Sequence, residues 1–196
     1  MCPLNRIKME WMKYIIALLF STLLLLLGSS IASGNRNRLS VSAELNDSSN
    51  VGLKVGNRAP ELVLFSPDSV TIPLSSLRGK VVLIDFWASW CKGCRTANPY
   101  IVSMYRKLKD RQFVNGNGFA VYSVSFDTKK ALWLSAIEKD SLNWSTNVSD
   151  LKGMKSNAAK SYEISGLPVS LLIDGNGIII ETGIKGIATI EKYLKP

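Results

Sequence analysis

"KVVLIDFWASWCKGCR", residues 80–95, decides the fold. Its first half is apolar on both alternating faces apart from Asp85, the pattern of a central strand covered on both sides. Its second half carries Cys91 and Cys94 where the pattern turns helical, and these are two of only three cysteines in the chain. Three uses fit such a pair: electron exchange, metal binding, or a staple across a turn.

Working outward, "PELVLFSPDSVTIPL" offers two short extended runs, Glu61 to Phe65 and Val70 to Pro73, around the turn signal Ser66-Pro67-Asp68-Ser69, which reads as a hairpin. After the cysteines a helical pattern continues to Asp110, with Pro99 expected to kink or restart it. Beyond a turn at Asn115-Gly116-Asn117-Gly118, "FAVYSVSFD" reads as a second strand. "TKKALWLSAIEKD" then reads as an amphipathic helix with Leu132, Trp133, Ala136 and Ile137 on its apolar face. A short run at Trp144 leads to a helical stretch from Met154 to Tyr162. "GLPVSLLIDGNGIIIETG" is two strands joined by Asp174-Gly175-Asn176-Gly177, a strong hairpin signal, and "IATIEKYLKP" closes the chain as a helix. This order of elements predicts an α/β fold, a mixed sheet flanked by helices.

The totals narrow the chemistry. With 196 residues and 46% apolar content, one well-cored domain and a tail are expected. The net charge of +9 comes from Lys and Arg scattered singly or in pairs, which gives no nucleic-acid patch. The complete absence of histidine excludes His-dependent hydrolases and His-ligated zinc enzymes. What remains for chemistry is cysteine and carboxylate.

At the N-terminus, Arg6, Lys8 and Lys13 precede "YIIALLFSTLLLLLGSSIAS", an uncharged run from Tyr14 to Ala32. This reads as a secretory signal, with Ser30-Ile31-Ala32 as a cleavage site, or as a single membrane anchor. Residues 1–32 are thus expected to direct export, residues 33–52, rich in Ser, Asn and Gly, to form a flexible linker, and residues 53–196 to fold. The expected location is periplasmic, either soluble or anchored to the inner membrane. Cys2 lies ahead of the apolar run, so the exported part holds two cysteines in an oxidising compartment. Met9 and Met12 are alternative starts. Of the three Asn-x-Ser sequons, at Asn46, Asn143 and Asn147, each matters only in a glycosylating host.

Cys91 follows a buried strand and opens a helix, where unpaired N–H groups and the positive dipole end favour a thiolate. It is expected to be the exposed, low-pKa nucleophile, with Lys92 adding positive charge. Cys94, one turn on, lies about 5–6 Å away at Cβ, near enough to close a Cys91–Cys94 disulfide as the resolving thiol. As a mere staple the bridge closes so small a loop that it constrains the unfolded chain little. A metal needs ligands beyond one Cys-x-x-Cys, so neither metal nor other cofactor is expected. Asp85 shares a face with Val81 and Leu83 and sits beneath the pair, where desolvation would raise its pKa and let it accept the Cys94 proton.

On "VGNRAPELVLFSPDSVTIPLSSLRGKVVLIDFWASWCKGCR" and "SGLPVSLLIDGNGIII" the chain resembles the thioredoxin superfamily, and within it the TlpA-like thiol-disulfide oxidoreductases of the redoxin (AhpC/TSA-like) group. The resemblance spans about residues 53 to 195. It implies a thioredoxin-like fold with an extra N-terminal β-hairpin, and a redox-active Cys91–Cys94 couple. It also implies a cis-proline at Pro168 opposite Cys91, with Leu167 and Pro168 offering backbone to a substrate chain. Trp90 and Trp87 would form an aromatic shoulder, although for Trp87 a core position fits equally. The implied activity is reduction of protein or cytochrome-precursor disulfides, with protein thiols and disulfides as substrates and a membrane or thioredoxin-type electron donor.

The chain also departs from the family pattern. Lys92-Gly93 separates the cysteines without the frequent proline, and Ala97 replaces a glutamate found in many relatives. Asp85 matches the buried acid of thioredoxins proper, where many TlpA-like chains are neutral. Two other functions fit the fold: a peroxiredoxin-type thiol peroxidase, against which Ala88 stands where a Thr or Ser is usual, and a non-catalytic binding module.

Overall fold

The computed structural model describes residues 50–184 and 186–196. The N-terminal apolar segment and nearly all of the expected linker, with Cys2, Met9, Met12 and the sequon at Asn46, lie outside the described residues. Asn50–Pro196 forms one compact unit, in which no helix among the described residues is long and apolar enough to cross a membrane.

Strand β3 (Val81–Trp87) is buried at every position. It lies at the centre of a five-stranded sheet of order β7-β6-β3-β8-β9, with β6 at Phe119–Ser125, β7 at Asn147–Val148, β8 at Val169–Ile173 and β9 at Ile179–Thr182. The sheet is mixed: β3 runs parallel to β6 and antiparallel to β8. Because side chains alternate across a strand, Val82, Ile84 and Phe86 enter one core with Tyr122, Val124 and Tyr162. Val81, Leu83 and Trp87 enter the opposite one with Leu108, Trp133 and Ile190.

The second core is covered by helix α1 (Lys92–Leu108) and α2 (Lys130–Lys139), closed at its edge by α4 (Ile187–Glu191); the short α3 (Asn157–Ser161) covers the first. In α1 the buried positions Cys94, Asn98, Ile101 and Leu108 recur at helical spacing. The helix is continuous through Pro99 and does not restart there. Pro99 leaves the Arg95 carbonyl without its usual N–H partner, but burial of the whole inner face keeps both sides in one helix. In α2 only Trp133 and Ala136 are buried. Leu132, expected inside, is exposed.

An N-terminal hairpin, β1 (Val63–Phe65) with β2 (Thr71–Pro73), pairs Leu64 with Ile72 and inserts Leu64 into the first core. The Tyr122 hydroxyl ties it down by donating to Ile72 O at 2.7 Å. Val51 and Gly52, at the end of the stretch read as linker, already pair with Arg58. Two features were not foreseen. Gly116 and Asn117, read as part of a turn, form strand β5 against β4 (Gln112–Phe113), so the reversal falls earlier. The stretch after Trp144 supplies the edge strand β7, in which Asn147 is buried with its amide donating to Leu142 O and Trp144 O. In the folded chain that sequon is closed to modification.

The Asp174-Gly175-Asn176-Gly177 reversal does join β8 to β9. Its glycines are needed: a Cβ on Gly175 would come within 2.6 Å of the Asn115 carbonyl oxygen, and Gly177 has φ +80°.

Candidate active site

The chain leaves β3 at Trp87, and Cys91 becomes the N-cap of α1, with extended backbone at φ −80° and ψ 101°. Its Sγ accepts the Cys94 N–H at 3.1 Å and is bonded to Cys94 Sγ, with Cα atoms 5.3 Å apart. An anion at this sulfur in the reduced chain would face the same N–H and the positive end of a four-turn helix. Cys91 is not the exposed residue expected. It is 7% accessible against 2% for Cys94, so both partners of the bridge are buried. The exposed group here is Trp90, 61% accessible, while Trp87 is wholly inside the core.

Leu167–Pro168 is a cis peptide bond. Pro168 lies against the turn between the cysteines: a Cβ on Gly93 would sit 3.6 Å from its Cδ. Leu167 is half-buried and packs on both cores. Cys91, Cys94, Trp90 and Pro168 therefore share the end of the sheet where β3 finishes and β8 begins.

Asp85 is 5% accessible and faces the core beneath α1. No hydrogen bond reaches its carboxyl among the described residues, and burial alone pushes its pKa up to about 7. It opens onto a cavity of about 500 Å³ whose walls include Ala97, Tyr100, Ile101, Pro168 and Ser170. Ala97, standing where many relatives have a glutamate, leaves Asp85 as the one carboxylate on that wall among the described residues.

A second set of charged groups was missed from sequence. Asp127, buried just past β6, accepts the Ser89 N–H at 2.9 Å, the Ser89 hydroxyl at 2.5 Å and the Ser125 hydroxyl at 2.8 Å. The Ser89 carbonyl accepts Arg95 Nη1 at 3.3 Å, and Arg95 is paired through Nε and Nη2 with Asp140, which also accepts Asn98 Nδ2. The loop from Ala88 to Trp90 is thus held from both sides. The sequence offered only a carboxylate at the end of the second expected strand, with nothing to say which strand stands beside which. Among the described residues no group of three or more Cys, Asp or Glu is placed to hold a metal ion.

A mixed sheet of this order, with a Cys-x-x-Cys at a helix start against a cis-proline, defines the thioredoxin-like thiol-disulfide oxidoreductases. The AhpC/TSA family model matches residues 55–182, and the chain belongs to that family, as a TlpA-like member. It is 30% identical over 146 residues to the thiol-disulfide oxidoreductase ResA of Bacillus thuringiensis subsp. konkukian, covering 73% of this chain and 78% of that one. Among solved structures it is similar to the thioredoxin domain of a thiol-disulfide oxidoreductase from Bacteroides vulgatus (TM-score 0.66, 32% identity, 74% of this chain and all of that one). It is also similar to a thiol-disulfide oxidoreductase from Bacteroides fragilis (TM-score 0.61, 33% identity, 69% of this chain and 96% of that one). The chain is accordingly a protein-disulfide oxidoreductase acting on protein thiols and disulfides.

Proposed function

We propose that this protein is an exported disulfide reductase, held at the membrane by its N-terminal apolar segment or released by cleavage, that reduces disulfides of proteins or cytochrome precursors. The observation that carries this reading is the Cys91 sulfur, N-cap of α1, accepting the Cys94 N–H beside cis-Pro168. In the reduced enzyme that position favours a thiolate at Cys91.

The Cys91 thiolate attacks one sulfur of the substrate disulfide, forming a mixed disulfide, and the departing substrate thiolate takes a proton from water. Asp85, ionised, accepts the Cys94 proton, directly or through a water in the cavity. The Cys94 thiolate then attacks Cys91 Sγ, which closes the Cys91–Cys94 bond and expels the second substrate thiolate. Two electrons pass to the substrate, and the dithiol is restored by a membrane or thioredoxin-type dithiol donor. Trp90 and the backbone of Leu167 and Pro168 hold the substrate chain.

The test uses the full chain carrying Cys2→Ser, with insulin as disulfide substrate. Cys94→Ser should accumulate a mixed disulfide that a reductant releases, while Cys91→Ser should accumulate none. Equal trapping by the two variants would overturn the assignment of nucleophile and resolving thiol.

A further inference from the structure

On the face of the sheet that bears Asp85, the in-register neighbour on β6 is Ser123 and that on β8 is Ser170. Val121 and Leu172, two residues away from these serines, pack into the same core as Leu83 and Trp87, which places all three side chains in one row beneath α1. β3 pairs in parallel with β6 and antiparallel with β8, and adjacent strands lie roughly 4.7–4.9 Å apart, so both serines stand beside Asp85. The row is asymmetric. Ser170 borders the cavity, and its Oγ accepts the Ile184 N–H at 3.1 Å, which leaves its proton to donate. Ser123 is fully buried, and its hydroxyl makes no hydrogen bond among the described residues. A buried, unpartnered hydroxyl is costly and calls for an explanation.

Resting on the reading of Asp85 as proton acceptor, we infer that Ser123 and Ser170 are its positioning residues: hydroxyls that turn to donate to the Asp85 carboxylate when it ionises. A serine hydroxyl swings between staggered positions about its Cα–Cβ bond, so Ser123 reaches Asp85 without movement of the backbone. Once Asp85 is charged, each donated hydrogen bond favours the anion and lowers its proton affinity. The pair thereby offsets part of the penalty of burial, the sole cause of the upward shift. Ser170, at the wet end, also stands where the proton leaves for the cavity.

The other titratable groups facing Asp85 are few. Cys91 and Cys94 on α1 lie in the same core, and Tyr100 on α1 and Tyr162 beside α3 border the cavity. Burial holds the Tyr162 phenol well above its ordinary range, so it stays neutral throughout. No lysine, arginine or further acid borders the cavity among the described residues. Hydroxyl donation is therefore the local means of stabilising the charge.

The experiment follows the Asp85 side-chain carboxyl by 13C NMR against pH in the oxidised full chain, beside the pH profile of disulfide reduction. Ser123→Ala should raise the Asp85 midpoint by about one pH unit, a tenfold increase in proton affinity. It should move the alkaline-rising limb of the profile by the same amount, and Ser123→Thr, which keeps the hydroxyl, should restore both. An unchanged carboxyl midpoint in Ser123→Ala overturns the inference. Asp85→Asn separates this from the underlying reading: if that variant keeps the limb, Asp85 is not the acceptor, while the carboxyl titration still decides what Ser123 does.

Discussion

Asp85→Asn tests whether this carboxyl is held in a site that disfavours its charge. In the folded protein its pKa is pushed up to about 7 by burial, against 3.8 for the free side chain. Between those values the folded state holds a proton that the unfolded chain has released. Stability therefore falls as pH rises, by about 1.36 kcal/mol per pH unit. The contribution is complete below about pH 4 and lost as pH passes through about 7. Over roughly three units this amounts to about 4 kcal/mol, a large share of the 5–15 kcal/mol typical of a domain. Asparagine cannot ionise, so the variant should match the parent near pH 4 and exceed it by about 4 kcal/mol at pH 8. Urea unfolding of both oxidised proteins at pH 4.5, 6 and 8 measures the difference directly. A difference that does not change with pH would refute the argument, whatever the absolute stabilities. The same variant should turn over more slowly above about pH 7, where the parent's carboxylate is ionised, and approach the parent's rate below it, the exchange of activity for stability expected where a charge is buried for use.

Asp127→Ala removes the acceptor of three hydrogen bonds and frees the loop before Cys91 on one side. It should cost about 2–4 kcal/mol in chemical denaturation and slow the attack of Cys91 even at temperatures where the variant stays folded. Trp90→Ala, at an exposed site, should leave unfolding within about 0.5 kcal/mol of the parent but raise KM for a protein disulfide several-fold, with little effect on a small disulfide. Equal effects on the two substrates would remove Trp90 from substrate binding. Gly175→Ala forces a Cβ to 2.6 Å from the Asn115 carbonyl and should destabilise by more than about 2 kcal/mol; thermal melting checks it.

Legibility from sequence followed the strength of the local pattern. The run from Val81 to Trp87, apolar on both faces, has no good alternative to a central strand, and the Asp-Gly-Asn-Gly turn brings β9 back antiparallel to β8. Cys91 and Cys94 came with them, because strand and helix positions determine where a residue at their junction must lie. β7 was hidden because a two-residue edge strand leaves no periodicity to read. Leu132 was misplaced because a ten-residue helix packed by Trp133 and Ala136 needs only a narrow apolar stripe. Pro99 warned of a break that tertiary burial overrode. Ser123, Asp127 and Asp140 were beyond reach for another reason. Their meaning lies in which strand or helix stands beside which, and the sequence order of the strands, with β6 and β8 flanking β3, does not announce it.

Whether Cys91 and Cys94 form a reversible two-electron couple that gives electrons to other proteins is decided by the potential of the pair. The most direct test is equilibration of the full chain carrying Cys2→Ser against thiol buffers of defined potential, with the oxidised fraction read by alkylation of free thiols. A disulfide reductase should give a single two-electron curve, tenfold in ratio per roughly 30 mV, with its midpoint on the reducing side near thioredoxin's roughly −270 mV. A midpoint near roughly −120 mV would make the protein an oxidant and reverse the proposed electron flow. The absence of any reversible titration would contradict redox chemistry at this site altogether.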